Sequence, residues 1–192
     1  MRIIAGKYKG HALSTLTGQH TRPTSSATKE ALFQMLGPFF PSGTVIDLYS
    51  GSGALGLEAI SRGMDQAYLV EKDRLAMQVI QKNIETIGVS DMAHALQMPV
   101  TRALHVLSQR EISADLILLD PPYSQDATSD LELISTLSVL RDGGVVALET
   151  QSDVEMADAL GDLKKIVVKD YGLSRLHLYR LIRKEGEKIS DD

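Results

Sequence analysis

Residues 44–63 read TVIDLYSGSGALGLEAISRG. A β-branched apolar run from Thr44 to Tyr49 meets three glycines, Gly51, Gly53 and Gly56, and then a stretch with apolar residues at helical spacing. This is a strand, a tight turn and a helix, with glycine where the backbone must bend sharply or approach a ligand closely. A strand-to-helix turn favours glycine on steric grounds too, so the next run matters. AYLVE (67–71) ends on Glu71, 20 residues past Gly51. A carboxylate there can accept hydrogen bonds from both ribose hydroxyls of an adenosine-containing cofactor.

The same alternation continues along the chain. AHALQM (93–98), DLILLD (115–120) and GVVALE (144–149) read as further strands. ALGLEAISRG, DRLAMQVIQKNIETIG, TRALHVLSQ and DLELISTLSVLRDG read as the helices between them, with Gly63, Gly88 and Gly143 as left-handed stops. Alternating β and α predicts an α/β fold with a mostly parallel, doubly wound sheet. KKIVVKDYG and SRLHLYRLIRK have no room between them for a crossover helix, so a C-terminal antiparallel hairpin is expected. RIIAGKYKGHAL predicts a small N-terminal β-hairpin turning near Gly6, and SATKEALFQMLGPF a helix capped by Ser25 or Ser26. The expected organisation is a hairpin extension over 1–24, an α/β domain over 25–184 and a solvated tail over 185–192.

The fourth strand runs into DPPY. Pro121 and Pro122 cannot donate backbone hydrogen bonds and have fixed φ, so they end the ladder. They do so at the carboxyl edge, where open α/β sheets bind ligands, with Asp120 before them and Tyr123 after them. D-P-P-Y resembles the signature of methyltransferases that modify exocyclic amines of adenine, cytosine or guanine. Such an amine is a weak nucleophile because its lone pair is delocalised into the ring. If Asp120 and the Pro121 carbonyl accept its N–H bonds, the lone pair is turned toward the methyl donor. Pro122 holds that carbonyl rigid, and Tyr123 offers a face on which an unpaired base can stack. Asp47, a negative charge just before the glycines, suits a sulfonium-bearing cofactor better than a pyrophosphate.

Composition narrows the partners. The 192 residues include no cysteine and no apolar run near the ~20 residues that span a bilayer, and the N-terminus lacks a secretory signal pattern. A soluble cytoplasmic protein is expected. The net charge of −5 is unevenly spread: residues 1–30 carry Arg2, Lys7, Lys9, Arg22 and Lys29 against Glu30 alone, or +4, leaving −9 for the rest. A basic end on an acidic body can mark a polyanion-binding face, although five cations can equally be a solvated surface. His11, His20, His94, His105 and His177 show no metal-ligand spacing, and no metal is expected. Met77, Met92, Met98 and Met156 read as core fillers, and Lys72 and Arg74 as solvated helix-start charges.

RIIAGKYKG, TRPTS, KEALFQML, DLYSGSGALGLEAISRG, VEKD and DPPY stand in an order and spacing similar to the bacterial ribosomal small-subunit methyltransferase D family, from residue 2 to about residue 182. The resemblance implies a Rossmann-like class I methyltransferase with a seven-stranded sheet. It implies S-adenosylmethionine as donor and N2 of one guanine in 16S rRNA as acceptor, presented in a partly assembled small subunit to a monomeric enzyme. Asp47, Ser50, Gly51, Gly53 and Glu71 would line the cofactor, with Arg22 and Thr24 near its methionine end or the target nucleotide. Asp120, Pro121, Pro122 and Tyr123 would form the catalytic segment, and Arg2, Lys7, Lys9, Arg22 and Lys29 would contact RNA. Two departures stand out. SSATKE replaces a more strongly charged helix start, which leaves Lys29 as its cation. QMPVT stands after the third strand, where many such enzymes place an acidic or amide residue near the adenine amino group; it weakens the assignment of an adenine-reading side chain, and a backbone group near Val100 is the expected adenine contact. The competing readings are a DNA amino-methyltransferase, which would want a target-recognition domain not evident here, and a non-catalytic RNA-binding assembly factor.

Overall fold

The computed structural model describes residues 1–16, 26–122 and 125–183. Arg22, Thr24, Tyr123, the tail 185–192 and the side-chain cap expected from Ser25 or Ser26 lie outside them. The elements run α1 (Ser26–Leu36), β1 (Thr44–Leu48), α2 (Ala54–Ser61), β2 (Gln66–Glu71), α3 (Arg74–Ile87), β3 (Ala93–Gln97), α4 (Val100–Gln109), β4 (Ala114–Leu119), α5 (Thr128–Thr136), β5 (Leu140–Gln151), β6 (Ala159–Leu160), β7 (Leu163–Tyr171) and β8 (Ser174–Leu181). They build one sheet in the order β3-β2-β1-β4-β5-β8-β7-β6. The first five strands in that order are parallel, and β8, β7 and β6 are antiparallel.

This is the expected α/β architecture with one strand more than the seven predicted. The addition is β6, two residues that pair with β7 at its start and are too short to leave a periodic signal. A second difference concerns the helix expected to reach Gly143. It stops at Thr136, because Val139 and Leu140 bury completely and continue the sheet: Ala114 N–H donates to the Val139 carbonyl at 2.8 Å, and Leu140 pairs with Ala114. Gly143 therefore sits inside β5 rather than at a helix end. Gly88 does close α3 in the left-handed conformation, and Asp73 caps its start by accepting from Ala76 N–H at 2.8 Å.

Burial on both faces explains why the strands read as continuous apolar runs. Val45 packs with Leu57, Ile60, Met77 and Ile80 on the face covered by α2 and α3. Ile46 and Leu48 pack with Leu104, Leu107, Leu131 and Ile134 on the face covered by α4 and α5. The N-terminal hairpin is a loop closed by a single bridge, Arg2 to Ala12, and it shares the first core through fully buried Ile3.

It is fastened to α2 by polar groups. Glu58, fully buried, accepts from Ile4 N–H at 2.9 Å and Ala5 N–H at 3.0 Å, while Ser61 accepts from Tyr8 N–H and donates to the Ala5 carbonyl.

Candidate active site

Strand order reverses between β1 and β4, the point at which an open α/β sheet leaves a crevice at its carboxyl edge. The register lines up the residues there. Leu48 pairs with Val70 on one side and Leu119 on the other, and Leu119 with Leu148, so Glu71, Tyr49, Asp120 and Glu149 are the next residues on four adjacent strands. All four line a cleft of about 570 Å³, together with Asp47, Ser50, Gly51, Pro121 and Pro122.

The glycine loop is shaped by its own packing. At Gly56 a Cβ would fall 2.2 Å from Leu69 Cδ2 and 3.2 Å from Asp47, so only glycine lets α2 lie this close to the strands. Gly51 adopts φ of +56°, and no atom lies within 4 Å of where its Cβ would stand, which keeps open space in the cleft it lines. Gly53 is the buried N-cap residue of α2, at φ +77°. Asn83, fully buried, ties the loop to the N-terminal segment: its Nδ2 donates to the Ser52 carbonyl at 2.9 Å and the Ser14 carbonyl at 3.0 Å. Glu71 is half-buried and accepts from Gly51 N–H at 3.1 Å and Asp73 N–H at 2.9 Å.

Asp47 is 1% exposed, and its Oδ2 accepts from Gly56 N–H at 2.9 Å. Burial pushes its carboxyl up to about 7; the Gly56 bond opposes the shift, and the nearby charges of Asp120 and Glu71 add to it. The cleft thus places a proton-sensitive carboxylate under the glycine loop. Ser50 donates its hydroxyl to the Asp47 carbonyl and its N–H to Val70.

After β4, Asp120 is half-buried, Pro121 buried and Pro122 exposed. The Pro122 carbonyl accepts from Gln125 N–H at 2.8 Å. Val100 is the first residue of α4, packed in the second core, and it is not among the residues lining the cleft. Arg2, Lys7 and Lys9 are exposed on the N-terminal hairpin. Lys29, expected to contact RNA, is 1% exposed, with Nζ 3.0 Å from Glu58 Oε2 and donating to the Arg2 carbonyl at 3.0 Å. The sequence does not reveal this ion pair, because the buried carboxylate that claims Lys29 lies 29 residues away on α2.

A model of the family described as Conserved hypothetical protein 95 matches residues 1–180. The putative rRNA methyltransferase YlbH of Bacillus subtilis is 37% identical over 181 residues, covering 94% of this chain and 98% of its own. Ribosomal RNA small subunit methyltransferase D of Escherichia coli K12 is 30% identical over the whole chain and 93% of its own length. The chain belongs to the methyltransferase D family. The solved structure of the putative methyltransferase yhhF from Escherichia coli superposes with a TM-score of 0.82 at 26% identity, over 96% of this chain and 99% of that one.

Within this methyltransferase D member, the cleft contains residues to which the sequence assigns no role in the site. Lys72 and Asp73 line it beside Glu71, as do Glu149 and the Tyr171–Ser174 turn of the β7–β8 hairpin. Lys72, expected from its place at a helix start to be a solvated charge, borders the cleft instead. Glu149 ends an apolar run just as Asp120 does, and that parallel was the available signal.

Proposed function

We propose that this protein transfers the methyl group of S-adenosylmethionine to the exocyclic N2 of one guanine in 16S rRNA, within a partly assembled small subunit, as a cytoplasmic monomer. Membership of the methyltransferase D family makes it an S-adenosylmethionine-dependent rRNA methyltransferase. The observation that carries the reading is the adjacency of Asp120 and Pro121 to the glycine loop across the β1/β4 switch point, in one cleft.

The residues present suit the cofactor. Open space above Gly51 gives room for close backbone approach, Glu71 presents a carboxylate for ribose hydroxyls, and Asp47 provides negative charge beneath the loop. Ser50 and Gly53 complete the loop, and Arg22, Thr24 and a backbone group near Val100 are the further contacts the family pattern suggests. When bound, S-adenosylmethionine supplies a methyl group activated by a sulfonium. The protein's own work is on the acceptor. Asp120 and the Pro121 carbonyl accept the two N–H bonds of the amine, Pro122 keeps that carbonyl fixed, and Tyr123 stacks on the base. Arg2, Lys7, Lys9 and Arg22 bind RNA phosphates, which position the substrate without reading its sequence.

Labelled S-adenosylmethionine incubated with the protein and small subunits from a strain lacking the enzyme should give N2-methylguanine at one position of 16S rRNA. Label in adenine, or in no RNA, overturns the proposal.

A further inference from the structure

The β7–β8 hairpin overhangs the cleft on the side away from the glycine loop. Sheet order puts that loop and Glu71 at β1 and β2, Asp120 at β4, and the hairpin beyond β5. β5 runs past Leu148, the partner of Leu119, as far as Gln151, which pairs with Ser174, so the two-residue turn Gly172–Leu173 stands farther out than Asp120. Tyr171, Gly172, Leu173 and Ser174 all line the cleft. Register fixes which side chains of β7 face that way. Lys169 pairs with Leu176 and Val167 with Leu178, both leucines bury in the first core, and Tyr171 packs against that same core. Side chains two apart on a strand share a face, so Lys169 and Tyr171 form one row on the cleft side of β7. Lys169 Nζ lies 5.5 Å from the centroid of the Tyr171 ring, and Leu173, at the tip, is 65% exposed. A cation, an aromatic ring and an exposed leucine thus follow one another along the rim.

Resting on the guanine-N2 reading above, we infer that this rim is a second RNA-binding element, which takes the nucleotide next to the target guanine: its base stacks on Tyr171 and its phosphate meets Lys169. A base brought down to Asp120 has left its stack, so its neighbour in the strand has lost a stacking partner. With the cofactor on the β1–β2 side of Asp120, the strand that carries the guanine continues over the β5–β8 side, where the hairpin stands. Tyr171 offers there what the neighbour has lost, a ring face that accepts any base. The Lys169 ammonium rests against that ring on a flexible stem; an incoming base takes its place and the charge turns to the phosphate. Leu173 extends the apolar surface to the tip, which accounts for a large exposed side chain at the mouth of an active cleft. Gly172, at φ +61°, makes the turn tight enough to hold Tyr171 and Leu173 side by side. These contacts read no sequence; they hold the strand while the guanine occupies the cleft.

The test uses the intact protein and small subunits from a strain lacking the enzyme. Tyr171→Ala should weaken particle binding about 5–150-fold, and Tyr171→Phe, which keeps the stacking face, should restore most of it. Lys169→Gln, at an exposed position where folding is not at stake, should lower the slope of log K against log salt by about 0.7, with S-adenosylhomocysteine affinity as in the wild type. A photoreactive benzophenone side chain in place of Leu173 should crosslink to 16S rRNA beside the mapped guanine. Wild-type particle binding in folded Tyr171→Ala overturns the inference, as does a crosslink to a ribosomal protein or to a second copy of this chain. An unchanged salt slope in Lys169→Gln overturns it as well, and decides the matter if Tyr171→Ala does not fold. In each of those events the wild-type enzyme still methylates guanine and the reading beneath the inference stands. Failure of the wild-type enzyme to methylate guanine in natural particles overturns that reading instead.

Discussion

Tyr49 Oη donates to Asp130 Oδ2 at 2.7 Å and joins the residue after β1 to the start of α5. The same hydroxyl accepts from Gln125, which follows the D-P-P-Y segment. Tyr49 holds φ of +60°, a left-handed backbone that costs a non-glycine residue of order 1–3 kcal/mol, so this link is kept against strain. Asp130 is 4% exposed and burial raises its carboxyl pKa, while the Tyr49 bond works against that shift. Tyr49→Phe removes the only hydroxyl in this three-residue link. It should lower stability by about 1–3 kcal/mol and reduce kcat more than it weakens S-adenosylhomocysteine binding. Urea unfolding and calorimetric titration of the variant measure both.

Much of this architecture could be read from periodicity because the central strands β1 and β4 are buried on both faces and helices separate the parallel strands. Glycine spacing and the D-P-P run then placed the two halves of the cleft. What escaped the reading depends on long-range pairing. Lys29 looks like a surface cation until Glu58 is brought beneath it, and Glu149 looks like a strand-end residue until β4 sets Asp120 beside it. β6 and the early end of α5 were missed for the same reason, since both are fixed by pairing partners distant in sequence.

Glu58 is shared by Lys29 at 3.0 Å and Arg62 at 2.8 Å, all three within a core that also receives the N-terminal hairpin. Removing Glu58 would leave two buried cations uncompensated, a loss of about 3–5 kcal/mol, whereas removing Lys29 leaves Glu58 paired with Arg62 and costs one charged hydrogen bond, about 1.5–3 kcal/mol. Lys29→Ala should destabilise the protein on that smaller scale. The salt dependence of its RNA affinity should match that of the wild type, because the side chain is not at the surface. A reduced salt slope in filter binding would restore Lys29 to the RNA-contacting set.

Asp47 and His177 give opposed pH responses. The Asp47 carboxyl is raised from 3.8 to about 7 by burial, so the folded protein holds its proton longer, and stability falls as pH rises between those values. His177 is fully buried, pairs with Thr150 through Nε2 and is lowered from 6.5 to about 4, first by burial and then by Lys165 and Arg175. Its contribution is present above 6.5 and lost as pH falls toward 4. Asp47→Asn should therefore expose a steeper acid loss of stability below pH 6.5, seen in urea midpoints across pH 4–8. In the wild type a cationic ligand favours ionised Asp47, so cofactor binding should release a proton and tighten as pH rises through 7. Calorimetry in buffers of different ionisation enthalpy would count that proton.

Arg2, Lys7 and Lys9 are exposed on a hairpin anchored by Glu58 and Ser61, so their charges are carried on a fixed frame. Lys7→Gln with Lys9→Gln should reduce the slope of log K against log salt by about 1.4, near 0.7 for each phosphate contact to single-stranded RNA. S-Adenosylhomocysteine affinity should not change. An unchanged slope would place the phosphate contacts elsewhere.

Asp120 can be tested by two properties at once. As the acceptor for the substrate amine, its loss should remove a positioned catalytic group, and Asp120→Ala should lower turnover by about 10²–10⁴. Its charge also raises the Asp47 pKa, so neutralising it should let Asp47 ionise at lower pH. Asp120→Asn, which preserves shape, should therefore lose most of its turnover while its S-adenosylhomocysteine binding curve shifts to lower pH. A merely structural residue would move stability without that shift. Full activity in Asp120→Ala would refute its role in catalysis, and an unmoved binding curve in Asp120→Asn would refute its electrostatic link to Asp47.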